Sequence, residues 1–119
     1  ACLPTFFLRR WVREKEVFSL EEAIRMLTMR TAEVMGIADR GRLAIGKPAD
    51  VVVLDPATVG DGPLQRVYDF PTGADRLISQ ASGITNVLVN GVVIRDLGED
   101  AASTNGKLPG RLLRGGMAA

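Results

Sequence analysis

The sequence predicts an α+β fold, with helices at the N-terminal end followed by a small β-sheet or β-sandwich part, and three observations carry that reading. A capping box, Ser19-Leu20-Glu21-Glu22, stands ahead of an apolar stripe. An unbroken β-branched run, Val51-Val52-Val53-Leu54, lies between Pro48 and the turn-opening pair Asp55-Pro56. Asn90-Gly91 separates two further apolar runs, and this is the preferred two-residue hairpin turn. Helical periodicity stops near residue 38, so the chain divides into a helical segment, 1–38, and a β part, 39–119.

In order along the chain, Thr5 is expected to cap a first helix. Its apolar side is Phe7, Leu8, Trp11 and Val12, with Phe7 and Trp11 stacked at the i, i+4 spacing. Arg9, Arg10, Arg13 and Lys15 make the other side basic, yet Glu14 and Glu16 dilute it and no aromatic platform accompanies it. A solvated helix face is the reading, and nucleic acid is not a predicted partner. The second helix opens at Ser19, whose hydroxyl is expected to accept from the Glu22 N–H while Glu22 reaches back, and Leu20, Ala23, Ile24 and Leu27 form its apolar stripe. Thr28 interrupts it, a short helix follows from about Thr31 to Met35, and Gly36 closes it as a left-handed cap. Met26, Met29 and Met35 read as core filler and not as ligands.

In the β part, a run apolar on both faces belongs inside a covered sheet, so Val51–Leu54 is expected to be fully buried. Residues 57–83 hold much of the proline and little periodicity. They are read as a long surface excursion with at most one helical turn, of a length that implies packing against something outside the chain. In the hairpin, a two-residue loop would pair Val89 with Val92 and Val87 with Ile94 on one face and set Leu88 and Val93 on the other, so that layers sandwich it.

Composition limits the function classes. A chain of 119 residues with 46% hydrophobic content is one globular unit by size. Fifteen basic and fourteen acidic residues leave a net charge of +1, so no global field recruits nucleic acid or an anionic membrane. With a single cysteine, Cys2, no signal peptide and no membrane-length apolar run, a cytoplasmic location is expected. Because the chain opens on Ala1, it is expected either to have lost a start Met or to be cut from something longer.

Candidate chemistry is sparse. Gly41 to Lys47 spells G-x-x-x-x-G-K, the opening of a phosphate-binding loop. Pro48 then stands where the magnesium-binding Ser or Thr belongs, and a strand follows in place of a helix. Asp50, at the entrance of the valine run, reads as a residue bonding local N–H groups. Asp50 and Asp55 flank one strand too far apart for paired acid–base work, and Asp39, Asp61, Asp69, Asp75, Asp96, Glu99 and Asp100 sit in loop-like stretches. No histidine is present to activate a Ser or Thr, and no Gly-x-Ser-x-Gly elbow occurs. A lone Cys2 with scattered acids makes no zinc site. The expectation is therefore no catalytic, cofactor-binding or metal-binding residue in this chain.

Five pieces occur in a fixed order: Ser19-Leu20-Glu21-Glu22-Ala23-Ile24, Asp39-Arg40-Gly41-Arg42-Leu43, Gly46 through Pro56 (GKPADVVVLDP), Val87-Leu88-Val89-Asn90-Gly91, and Pro109-Gly110-Arg111-Leu112-Leu113-Arg114. Together they resemble the C-terminal part of an N-acyl-D-amino-acid deacylase (D-aminoacylase), in the metal-dependent amidohydrolase superfamily. One departure is Thr31-Ala32 where the family has Pro-Ala, which costs a favourable first-turn proline. The resemblance implies a (β/α)₈ barrel carrying zinc and a catalytic Asp, plus a small β-domain built from both chain ends. Residues 1–38 would correspond to the last barrel helices and 39–119 to the C-terminal contribution to the β-domain, with the ligands and catalytic Asp before Ala1. So placed, the chain is a catalytically inert structural segment, partnered by the missing barrel part or by further copies of itself. The alternative is a stand-alone, self-associating binding or assembly module that reuses the scaffold.

Overall fold

The computed structural model describes residues 2–101, 107–114 and 117–118 and is α+β: helices first, then antiparallel strands. Helix α1, Leu3–Phe7, runs directly into a π-helical stretch, Leu8–Glu14. It begins earlier than Thr5 because Pro4, with its preset φ, occupies the first turn. Thr5 is not the cap but is buried, its hydroxyl donating to the Cys2 carbonyl at 3.1 Å. Nor does Phe7 stack on Trp11. The π stretch bonds i to i−5, as in Lys15 N–H to Arg10 O at 3.1 Å, and this displaces the i, i+4 register. Phe7 instead meets Phe18 with ring centroids 5.6 Å apart, and Trp11 stays 41% exposed.

Helix α2, Leu20–Arg25, starts at Ser19, whose Oγ accepts from the Glu22 N–H at 3.2 Å. Thr28 does not break it. A π-helical stretch, Met26–Arg30, carries the chain on into α3, Thr31–Val34, with right-handed helical angles at each junction. Two hydroxyls share the backbone carbonyls here: Thr28 donates to Ile24 O at 2.7 Å and Thr31 to Met26 O at 2.9 Å, competition of the kind that bends and loosens helices. Gly36, at φ 69°, ends the helix, and the Ile37 N–H reaches back to Ala32 O at 2.8 Å. Among the described residues no helix is long and apolar enough to cross a membrane.

The principal sheet has four antiparallel strands in the order β1-β6-β7-β8: β1 is Val51–Leu54, β6 Ile84–Val89, β7 Val92–Asp96 and β8 Glu99–Asp100. The valine run is therefore not a buried central strand. It forms an edge, with Val52 and Val53 52% and 44% exposed. Around Asn90 (φ 48°) and Gly91 (φ 78°), Val89 faces Val92 and Leu88 faces Val93. A bulge then shifts the register, so Val87 lies opposite Arg95 instead of Ile94. β6 is half-buried throughout and both ends of β7 are exposed, so the expected sandwiching of both faces is not found among the described residues.

Residues 57–83 are not irregular. They form two antiparallel ladders, β2 (Gly60–Asp61) with β5 (Ala81–Ser82) and β3 (Gln65–Val67) with β4 (Arg76–Ile78), with a 3₁₀ turn at Pro71–Gly73. These strands lack apolar alternation because ions and stacking hold the arm. Arg76 pairs with Asp69 and lies 5.4 Å over the Phe70 ring, and Arg66 pairs with Asp75. A last short pair, β9 (Leu113–Arg114) with β10 (Met117–Ala118), completes the chain. The core joins both halves: Leu8, Ala23 and Val59 are fully buried, with Phe7, Phe18, Leu20, Ile24, Leu27 and Leu54 packed around them.

Candidate functional site

A groove of about 590 Å³ lies between the helical Ile24–Ala32 face, the 37–43 segment, β1, the hairpin turn and the Gly110–Leu113 stretch. Its size lies within the range of small-molecule pockets. Its walls are mostly aliphatic, including Ile24, Ile37, Leu43, Val51, Val52 and Leu113. The loop that spells G-x-x-x-x-G-K forms part of the wall and offers no phosphate cradle. A Cβ on Gly41 would come within 2.9 Å of the Ala32 Cβ and 3.1 Å of the Thr28 carbonyl, so the loop backbone lies flush on the helix. The Lys47 ammonium donates to Ala38 O at 2.9 Å.

At one end of the groove a polar clasp gathers four distant pieces of sequence. Arg40, with a side chain only 12% exposed, donates from Nε to Asp50 Oδ2 at 2.5 Å and forms an ion pair with Asp39, Nη1 to Oδ2 at 2.7 Å. Asp50 Oδ1 accepts from the Asn90 N–H at 2.8 Å, and Asn90 Nδ2 donates to Pro109 O at 2.7 Å. The Gly91 N–H donates to Ala49 O at 2.9 Å, which fixes the hairpin turn beside β1. Burial alone would lower the Arg40 pKa; the two carboxylates outweigh it and hold the guanidinium above its usual value. Asp50 is thus structural, but its partners lie 10 and 40 residues away in sequence and are not the local N–H groups expected. Sequence reasoning also missed Arg40 and Asn90 as its partners, although all three belong to pieces that carry the family resemblance.

Several of the other singled-out acids are engaged elsewhere, while Glu99 is exposed at the end of the sheet. Asp61 pairs with Arg9 at 2.7 Å, and Glu14 takes Arg10 at 2.8 Å and Arg9 at 2.5 Å; Arg9 holds the Asp61 carboxyl, and Arg10 with Arg9 the Glu14 carboxyl, below their ordinary pKa. Asp55 caps the turn after β1, accepting from the Ala57 N–H and the Thr58 hydroxyl, each at 2.9 Å, which lowers its pKa. Asp96 accepts from Asn86 Nδ2 at 2.7 Å, and Arg95 reaches Asp100 at 3.2 Å. Cys2 Sγ lies 2.9 Å from Ser79 O. Among the described residues no three His, Cys, Asp or Glu side chains converge to hold a metal ion. Chemically, the clasp can fix geometry and the groove can receive apolar surface.

Comparison with known proteins shows the family. The Amidohydrolase family profile matches residues 3–95. An N-acyl-D-glutamate deacylase of Alcaligenes xylosoxydans xylosoxydans is 43% identical over 92% of this chain and 20% of its own length. A D-aminoacylase of the same organism is 39% identical over 73% of this chain and 16% of its own. The crystal structure of a D-aminoacylase superposes with a TM-score of 0.64 at 31% identity, covering 83% of this chain and 19% of that one. The chain thus spans about one fifth of the length of these relatives. Shared sequence across most of its length and a shared fold place the chain in the amidohydrolase family, among relatives that include D-aminoacylases.

Proposed function

We propose that the chain is the C-terminal structural segment of a zinc-dependent amidohydrolase that hydrolyses N-acyl-D-amino acids, and that it is catalytically inert on its own. The observation that carries this reading is the match to an N-acyl-D-glutamate deacylase at 43% identity over nearly the whole chain and only a fifth of the relative. The residues present do not fit a zinc site. Histidine is absent from the sequence, and the carboxylates of Asp39, Asp50, Asp61, Asp69, Asp75 and Asp100 are engaged by arginines. Zinc needs converging deprotonated ligands, so no step is routed through a metal here.

The segment's contribution is then mechanical. Residues 1–38 supply helices for the barrel, residues 39–119 supply part of the small β-domain, the shared core of Leu8, Ala23 and Val59 with the Arg9–Asp61 pair ties the two, and the Arg40–Asp50–Asn90 clasp braces the second. Metal analysis of chelator-free protein, with an assay for release of free D-amino acid from N-acetyl-D-amino acids, tests this. No stoichiometric zinc and no turnover are expected; one tightly held zinc per chain, or turnover abolished by Asp50→Asn, overturns it.

A further inference from the structure

We propose that the base of the 57–83 arm, and not the helix's own sequence, selects the π register of Leu8–Glu14, so that arm docking and helix register form one two-state element. A π stretch needs a local reason, because i, i+4 bonding is the ordinary helical register and π turns are rare. Nothing in the segment LRRWVRE supplies one: it holds no glycine or proline, and its spacing favours an α-helix with Phe7 over Trp11.

The reason lies across the chain. Arg9 donates from Nε to Asp61 Oδ1 at 2.7 Å, and Arg13 donates from Nη1 to Val59 O at 2.7 Å and to Pro56 O at 3.0 Å. Both arginines close on β2, where Gly60 is buried and a Cβ on it would stand 3.0 Å from Arg9 Cδ. Glycine at this position lets the arm's base lie against the arginine stem. Glu14 ties these contacts to the helix register, accepting from Arg10 Nη1 at 2.8 Å and from Arg9 Nη1 at 2.5 Å. The Arg9–Glu14 pair spans five residues. In an α-helix such residues stand about 140° apart around the axis, whereas i, i+5 bonding brings them to one side. The π register therefore sets Glu14 behind Arg9, where it braces the guanidinium against Asp61, and the α register takes it away. Undocking the arm removes these partners and returns the helix to α, moving the Lys15 N–H from Arg10 O to Trp11 O and Trp11 onto Phe7. By linkage, loss of the π register loosens the arm by the same factor.

This inference rests on contacts within the chain and goes beyond the family reading, so its failure would leave that reading intact. Through-hydrogen-bond NMR couplings in the 119-residue chain test it, with Trp11, the single tryptophan, as an optical reporter. The unmodified chain should couple the Lys15 N–H to the Arg10 carbonyl. Asp61→Asn combined with Arg13→Gln should move that coupling to the Trp11 carbonyl and change Trp11 fluorescence, while the cross-strand contact of Leu88 with Val93 persists. Glu14→Gln, at an exposed position, should speed exchange of the Gly62 amide, which donates to Gln80 O at the arm's base, by about threefold or more. Arg66→Gln, on the outer ladder of the arm, should change neither readout. Lys15 still coupled to Arg10 in a folded double variant, or Gly62 exchange unmoved by Glu14→Gln, overturns the proposal. So does an unmodified chain in which Lys15 couples to Trp11. Where the double variant does not fold, Glu14→Gln decides alone.

Discussion

Among the described glycines, Gly83 is the one whose added methyl would meet backbone most closely, which makes Gly83→Ala a damaging change. Gly83 has φ +71°, and its carbonyl accepts from the Asp55 N–H at 2.8 Å. A Cβ there would sit 2.3 Å from Val59 N, 2.4 Å from Val59 Cα and 2.6 Å from the Thr58 carbonyl carbon. These are backbone atoms, so no rotamer change relieves the overlap, and Val59 is 1% exposed in the core. Left-handed backbone costs alanine about 1 kcal/mol, and forcing volume into a packed site adds roughly 1–3 kcal/mol. A total near 2–4 kcal/mol is a large share of a stability of about 5–15 kcal/mol. With a urea m-value of about 2 kcal/mol/M, the unfolding midpoint should fall by roughly 1–2 M. Gly91→Ala supplies the control: its φ is +78°, yet the nearest neighbour, the Ala49 Cβ, is 4.0 Å away, so only the backbone cost of about 1 kcal/mol applies. Equal midpoints for the two variants, or an unchanged midpoint for Gly83→Ala, would refute the packing argument.

Asp50→Ala leaves Arg40 facing Asp39 alone and the Asn90 N–H unbonded; with the site partly exposed, a loss of about 1–2 kcal/mol is expected in urea melts. Gly91→Val should cost about 1–3 kcal/mol through strain at positive φ, and a native-like thermal midpoint would contradict the turn geometry. Asn90→Gly relieves φ 48° but forfeits the Pro109 bond, so a small net loss, under about 1 kcal/mol, is expected by the same melts. Acidification should destabilise the chain. The carboxyls of Glu14, Asp55, Asp61 and Asp69 titrate below their ordinary 4.5 and 3.8. Their contribution is therefore complete above those values and disappears as pH falls through the lowered ones. Urea midpoints measured from pH 7 down to strongly acidic conditions check this, and Asp61→Asn should flatten part of the slope.

Local signals were legible in the sequence and their tertiary setting was not. The Ser19 cap depends on four consecutive residues, and the structure forms it with that bond. Burial of Val51–Leu54 depends on neighbours. A β-branched run describes a strand suited to a covered sheet, but only the strand order reveals that β1 lies at an edge. The arm between residues 60 and 82 escaped because its ladders are held by Arg–Asp pairs and not by alternating apolar residues, the one periodicity a strand reading relies on. Gly83 gave no sign, since its necessity lies in the approach of Val59 and not in its own neighbours along the chain. The bulge opposite Val87 was hidden likewise; a turn sets register only until an extra residue intervenes.

The engagement of the clasp side chains and the strength of the family signal have one physical origin. Asp39-Arg40, Ala49-Asp50, Asn90-Gly91 and Pro109 are fragments of the ordered pieces that carry the resemblance, and in the fold they become a single clasp. Each member is spent on another: the guanidinium on two carboxylates, one carboxylate on a turn N–H, the turn amide on the carbonyl of the C-terminal stretch. Groups so committed are poor candidates for proton transfer or ligation, because any reacting partner must first displace a bond that the fold needs. They are well suited to holding the 39–40 segment, the sheet edge, the hairpin turn and the Pro109 stretch at fixed separations along the groove. A sequence signature built from such residues therefore reports the scaffold, and this chain spans about one fifth of the length of the relatives that share it.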